Sequence, residues 1–127
     1  MKWVHDLGRF HALPEDEQER VIGRAKPDSV ELDDGAKPPT AHIARVVIED
    51  DEGNEREIFR RSTPFGSVHE QGLQFVAFSH EPEIFSIMLH RMLEADDGLH
   101  DRLTDFSTPV TGSIYFAPSI EALLLSG

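Results

Sequence analysis

Along the chain the spacing of apolar residues changes several times, and each change predicts a new element. Residues 2–7, KWVHDL, alternate weakly and predict a strand. Pro14 then opens EDEQERVIG, with acids in the first turn, Val21 and Ile22 on an apolar side and Gly23 as a stop, which predicts a short helix. Residues 24–41 hold three prolines and little periodicity, so a long loop is expected there. IARVVIE at 43–49 and REIFRR at 56–61 are rich in strand-forming residues, and the DDEGNE between them carries Gly53 and Asn54, the signature of a hairpin. Pro64 and Gly66 are expected to end its second arm.

LQFVAFS at 73–79 reads as the most deeply buried strand. It is followed by EPEIFSIMLHRMLE at 81–94, where Ile84, Phe85, Met88, Leu89 and Met92 recur at helical spacing until the acidic loop ADDG. GSIYFAP predicts a final strand at 112–117, and Ser119 is placed to cap a short terminal helix, IEALLL. Glu121 stands two positions beyond that serine, short of capping-box spacing. The order of strands and helices predicts an α+β fold, helices against a largely antiparallel sheet, with no internal repeat.

Composition narrows the functions open to such a fold. At 127 residues, 1–127 is expected to be one domain able to bury a core of its own. The absence of cysteine excludes thiolate metal sites, thiol catalysis and a disulfide framework. No leader-like apolar run follows Met1 and no segment approaches a membrane span, so a cytoplasmic protein with no membrane partner is expected. Acids outnumber bases 24 to 12, giving a net charge of -12, and only Lys2, Lys26 and Lys37 are lysines. Without a basic footprint, nucleic acid is not an expected partner. The acidity suits either a saline cytoplasm or an ordinary acidic protein.

Several side chains could carry chemistry. His42 stands between the proline-rich loop and a β-rich run, where its ring could sit in a cleft; a histidine so placed can equally be an ordinary core or surface residue. His5, His11, His69, His80, His90 and His100 show no metal-binding spacing, a site from His5 and His11 being the least improbable. Arg60 and Arg61, adjacent on an expected strand, should point to opposite faces. An inward one would need an anion or ligand, whereas a strand-end pair can simply reach water. Asp96, Asp97, Asp101 and Asp105 surround a glycine loop but lack the order of an EF-hand, so a solvated acidic loop is expected. Phe75 and Phe78 alternate, so only one of them can line a given pocket, and Phe65, Phe106, Tyr115 and Phe116 suit core positions. Phosphate loops, dinucleotide fingerprints and nucleophile elbows are absent.

Taken together, WVHDLGRFHALPEDEQERVIGRAKPDSVELDD, AHIARVVI, FRRSTPFG, GLQFVAF and DRLTDFSTPVTGSIYFAPS resemble the carboxy-terminal half of dye-decolourising (DyP-type) peroxidases, the shorter bacterial branch, from about Lys2 to Pro118. The resemblance implies a ferredoxin-like half of a haem b peroxidase, which reduces hydrogen peroxide while oxidising dyes or phenols. His42 matches the axial iron ligand. Arg60 matches the distal arginine that helps peroxide ionise, Phe78 is expected to line the cofactor, and Asp105 to orient the His42 ring, with Asp101 as the nearby alternative. Ser62 stands where the family usually has asparagine, and a hydroxyl cannot reproduce an amide's paired donor and acceptor. The family's GxxDG motif, bearing a distal aspartate in the first half, does not occur in these residues. The expectation is therefore a fragment that pairs with a first-half chain or with copies of itself, or an inactive haem-binding or structural domain.

Overall fold

The computed structural model describes residues 1–94 and 97–125. Asp96, one of the acids singled out above, lies outside the described residues. Strand β1 (Lys2–His5) leads through α1 (Leu7–His11), α2 (Glu15–Ile22) and α3 (His42–Val46) to β2 (Phe59–Arg60), β3 (Thr63–Gly66), β4 (Gln71–Gln74) and β5 (Ala77–Phe78). Helix α4 (Glu83–Met92), a 3-10 turn (Arg102–Asp105), β6 (Ser107–Thr111) and α5 (Ile120–Leu125) complete the chain. The main sheet has the order β3-β4-β1-β6 and is antiparallel throughout, while β2 and β5 form a separate two-stranded ribbon. This is a mixed α+β architecture of the ferredoxin-like kind, as its sequence implies. Among the described residues no helix is long and apolar enough to cross a membrane.

Helix α2 follows its sequence signals. Glu15, Asp16 and Glu17 occupy the first turn, favoured by the helix dipole, and Gly23 closes it in the left-handed conformation at φ 92°. The core is formed by Trp3 from the sheet with Val21, Ala41, Ile43, Ile48, Ile84 and Met92, mostly from the helical layer. Helix α3 packs against α4 and α2.

The expected hairpin over 43–49 and 56–61 is corrected by the structure. Its turn forms, with Asp50 accepting from the backbone of Asn54 and Gly53 at φ 82°, but the arms meet only at a single bridge, Glu49 to Glu55. The first arm is instead helical at its start. Burial of Ile43 and Arg45, and the capping of α3 by Arg91, outweigh the strand preference of its β-branched residues. The expected strand at 73–79 divides in two: Phe75 still bonds to Met1 at the end of the main sheet, after which the Val76 carbonyl accepts from Arg61 in the ribbon.

Pro64 and Pro109 both lie within strands rather than at their ends. β3 and β6 are the two edges of the sheet, where a missing N–H breaks no ladder. The final strand is therefore 107–111, not 112–117. Lys2 with Thr111 is the last pair of the β1–β6 ladder, and residues 112–119 run on without a strand partner. Tyr115 and Phe116, assigned to the core from sequence, are 85% and 90% exposed. Ser119 does cap α5, accepting from the Ala122 backbone. The chain exposes 8910 Å², about 2,000 Å² more than the roughly 6,800 Å² expected of a compact monomer of its size.

Candidate functional site

His42 is the first residue of α3, directly after the fully buried Ala41, and the entry of the helix is fixed by a bond from the Ala41 amide to the Pro38 carbonyl. The proline-rich loop thus sets where the imidazole leaves the backbone. Five residues are too few for a helix to persist on its own, so α3 depends on neighbouring elements. Arg91 of α4 supplies much of this, donating to the carbonyls of Ala44 and Val47 at 2.7 and 2.8 Å.

The His42 side chain remains 26% exposed while its partner, Asp101, is wholly buried. His42 Nδ1 lies 2.6 Å from Asp101 Oδ2. A carboxylate can only accept, so Nδ1 carries a proton, and in the neutral ring Nε2 is then the nitrogen with the lone pair. Asp101 Oδ1 accepts from the Leu103 amide at 2.8 Å, and the Asp101 amide donates to the Met92 carbonyl at 2.9 Å. Both carboxylate oxygens are therefore committed. The carboxylate on His42 is Asp101, the alternative named from sequence, and not Asp105. The first residue before the 3-10 turn faces α3, whereas its last, Asp105, turns away to His100 Nε2 at 3.1 Å.

Arg60 and Ser62 belong to the β2–β5 ribbon. Phe59 pairs with Phe78 and Arg60 with Ala77, so alternation puts Phe59, Phe78 and Arg61 on one face and Arg60 on the other. The contacts agree: Phe59 and Phe78 rings lie 6.4 Å apart, and the Arg61 guanidinium sits 4.5 Å from the Phe59 ring. Arg60 is exposed, with no hydrogen bond or ion pair among the described residues. Phe78 and Arg60 are thus not brought to one side of the ribbon. Ser62 is half-buried, its Oγ accepting from the Val76 amide at 3.3 Å. That bond ties the hydroxyl to the ribbon's own backbone.

Among the described residues, no group of three or more His, Cys, Asp or Glu side chains gathers to hold a bare metal ion. One partly exposed imidazole, held through Nδ1 by a buried carboxylate and with no hydrogen bond at Nε2 among the described residues, fits a different demand. It suits a metal whose other positions are filled by its own macrocycle, as in haem.

Sequence reasoning missed a second set of links around α3. Arg45 is 3% exposed, an unusual place for a guanidinium, and donates through both terminal nitrogens to the two oxygens of Asp97. The signal was spacing, legible only once 42–46 is known to be helical: Arg45 follows His42 by three positions, and Asp97 precedes Asp101 by four.

Comparison with known proteins gives a consistent picture. The family described as Dyp-type peroxidase, C-terminal, matches residues 1–122. Dye-decolorizing peroxidases from Mycobacterium tuberculosis and Rhodococcus erythropolis are 48% and 42% identical to this chain over 125 residues, covering 96% of it and 37% of each relative. A dyp-type peroxidase protein from Shewanella oneidensis superposes with a TM-score of 0.90 at 44% identity, covering 98% of this chain and 41% of that one. A variant of DypB from Rhodococcus jostii, solved in complex with heme, gives a TM-score of 0.90 at 42% identity, over 96% of this chain and 40% of that one. The chain therefore spans less than half the length of these relatives.

Proposed function

Since the chain belongs to the C-terminal family of Dyp-type peroxidases, we propose that it is the haem-ligating part of a peroxidase, with His42 Nε2 as the nitrogen that would hold the iron. The observation that carries this reading is the His42–Asp101 pair, a buried carboxylate fixing the one tautomer that leaves a ligating nitrogen free. Haem b, when bound, supplies the redox chemistry by which hydrogen peroxide is reduced and a dye or phenol oxidised. What the protein contributes is orientation, charge and protons.

Asp101 holds the Nδ1 proton and, sharing it strongly, makes the imidazole a more electron-rich donor. Arg60 carries a permanent positive charge and N–H donors in a fixed fork. Placed beside peroxide it lowers the cost of deprotonating it and stabilises the negative oxygen that develops. Ser62 offers one hydroxyl to the same region, with less reach than an amide. Phe78, with Phe59, presents an apolar surface on the ribbon's opposite face, suited to a flat ring system or to another stretch of polypeptide. Asp105 holds His100 and has no role toward His42 in this reading.

The surplus of exposed surface supports a partner, either the remaining length of the family's polypeptide or a second copy. The test is reconstitution with hemin. A Soret band that His42→Ala abolishes is expected, together with peroxide-dependent dye oxidation that Arg60→Leu abolishes. Hemin binding indifferent to His42→Ala would overturn the ligand assignment. A His42-dependent band without dye oxidation, even with a first-half chain added, would leave a haem-binding domain.

A further inference from the structure

We infer that Arg45 and Asp97 form a positioning pair for the His42 imidazole, holding α3 against residues 97–101 so that the His42–Asp101 bond cannot pivot; toward haem, this rests on the ligation reading above. His42 and Arg45 are three apart on α3 and face one side of it. Their partners, Asp101 and Asp97, lie on one short segment. The same two pieces of chain are therefore joined at two points. One point alone would act as a hinge, because a helix of five residues has little stiffness of its own.

The second point is built for rigidity. Arg45 Nη1 and Nη2 donate to the two oxygens of Asp97, each at 2.8 Å, and Nε donates to the Arg91 carbonyl at 2.8 Å. A fork engaged on three sides resists both rotation and sliding. Asp97 is anchored in turn, accepting from the Leu99 amide at 3.0 Å. The segment is tied at its far end as well, where the Arg102 amide donates to the Thr40 carbonyl, two residues before His42. Burying a guanidinium is costly unless its geometry is fully used, and here every nitrogen of Arg45 is. Hydrogen bonding from Arg45, the largest cause, also holds the Asp97 carboxyl below the usual carboxylate range.

Arg45→Gln, Arg45→Lys and Asp97→Asn, made in the full chain, test this without relying on turnover. In apo protein labelled with 15N-histidine, the His42 ring nitrogens, assigned by their loss in His42→Gln, report the tautomer directly. The wild type is expected to hold Nδ1–H alone. Arg45→Gln and Asp97→Asn should shift both nitrogens toward a tautomer average, and Arg45→Lys should shift them less. With hemin bound, the iron–imidazole stretch of the first two should fall toward that of Asp101→Asn.

Wild-type nitrogen shifts in both Arg45→Gln and Asp97→Asn would overturn the clamp. Absence of any His42-dependent hemin spectrum in the wild type would overturn the haem reading, and the apo spectra would still decide the clamp. Should Arg45→Gln fail to fold, Asp97→Asn decides, its side chain being 45% exposed.

Discussion

Replacing Asp101 by asparagine changes no volume, yet it sets two hydrogen-bond demands against each other. The two oxygens of Asp101 serve the His42 ring at 2.6 Å and the Leu103 amide at 2.8 Å, both donors. Asparagine has one oxygen to offer. With its NH2 toward the ring, His42 must accept at Nδ1 and take its proton on Nε2, which removes the lone pair that the proposed ligation needs. With the amide reversed, the ring keeps its ligating tautomer, but the NH2 now abuts the Leu103 N–H in a site with no solvent access. An unsatisfied buried donor costs about 1–3 kcal/mol. Taking about 2 kcal/mol as the gap between the two arrangements, hemin affinity should fall roughly 30-fold, inside the range usual for groups that support a metal ligand. Absorbance titration of the apo protein with hemin, wild type beside Asp101→Asn and His42→Ala, measures this. Equal affinity for hemin in wild type and Asp101→Asn would refute the claim that the buried carboxylate selects the tautomer.

Other substitutions test the scaffold around the site. Gly23→Ala puts a side chain on a residue at φ 92°, with its Cβ 2.5 Å from Ile43 Cγ1; the left-handed backbone alone should cost about 1–2 kcal/mol, read as a lower denaturation midpoint. Gly72→Ala drives a Cβ into the Trp3 carbonyl at the centre of the sheet, and a loss of about 3 kcal/mol in the same assay is expected. His5, bonded to Ser107 Oγ at 2.8 Å, has its pKa lowered from 6.5 by burial. The unfolded chain then takes up this proton first as pH falls, so the contribution is complete above about pH 6.5 and is lost as pH drops through the folded value. Denaturation midpoints measured between about pH 7 and pH 5 should decline more steeply in the wild type than in His5→Gln; parallel slopes would contradict this.

Local signals in the sequence were reliable where one short stretch decides the outcome. Helix α2 with its glycine stop, the Asp50–Asn54 turn and the Ser119 cap all follow from residues within a few positions. They failed where a distant group decides. IARVVIE has strand composition, but α3 is held by Arg91, 44 and 47 positions away from the carbonyls it caps. Pro64 was expected to end an arm, but sheet order makes β3 an edge, where a proline can stand inside a strand. The same limit applied at the site. His42 could be picked out by resemblance, but Asp101 and Asp105 share one segment four residues apart, and only the path of the 3-10 turn determines which of them meets the ring.

The prolines on the two rims of the sheet also bear on edge-to-edge aggregation. A foreign strand adding to β3 or β6 would meet Pro64 or Pro109, neither of which can donate to a new ladder. Growth by edge-to-edge polymerisation is thereby hindered on both sides. The exposed apolar run from Ile114 to Phe116 lies beyond the β6 ladder, so a contact that buried it would not be an added strand on that ladder. Any association is thereby turned away from fibres built by edge pairing.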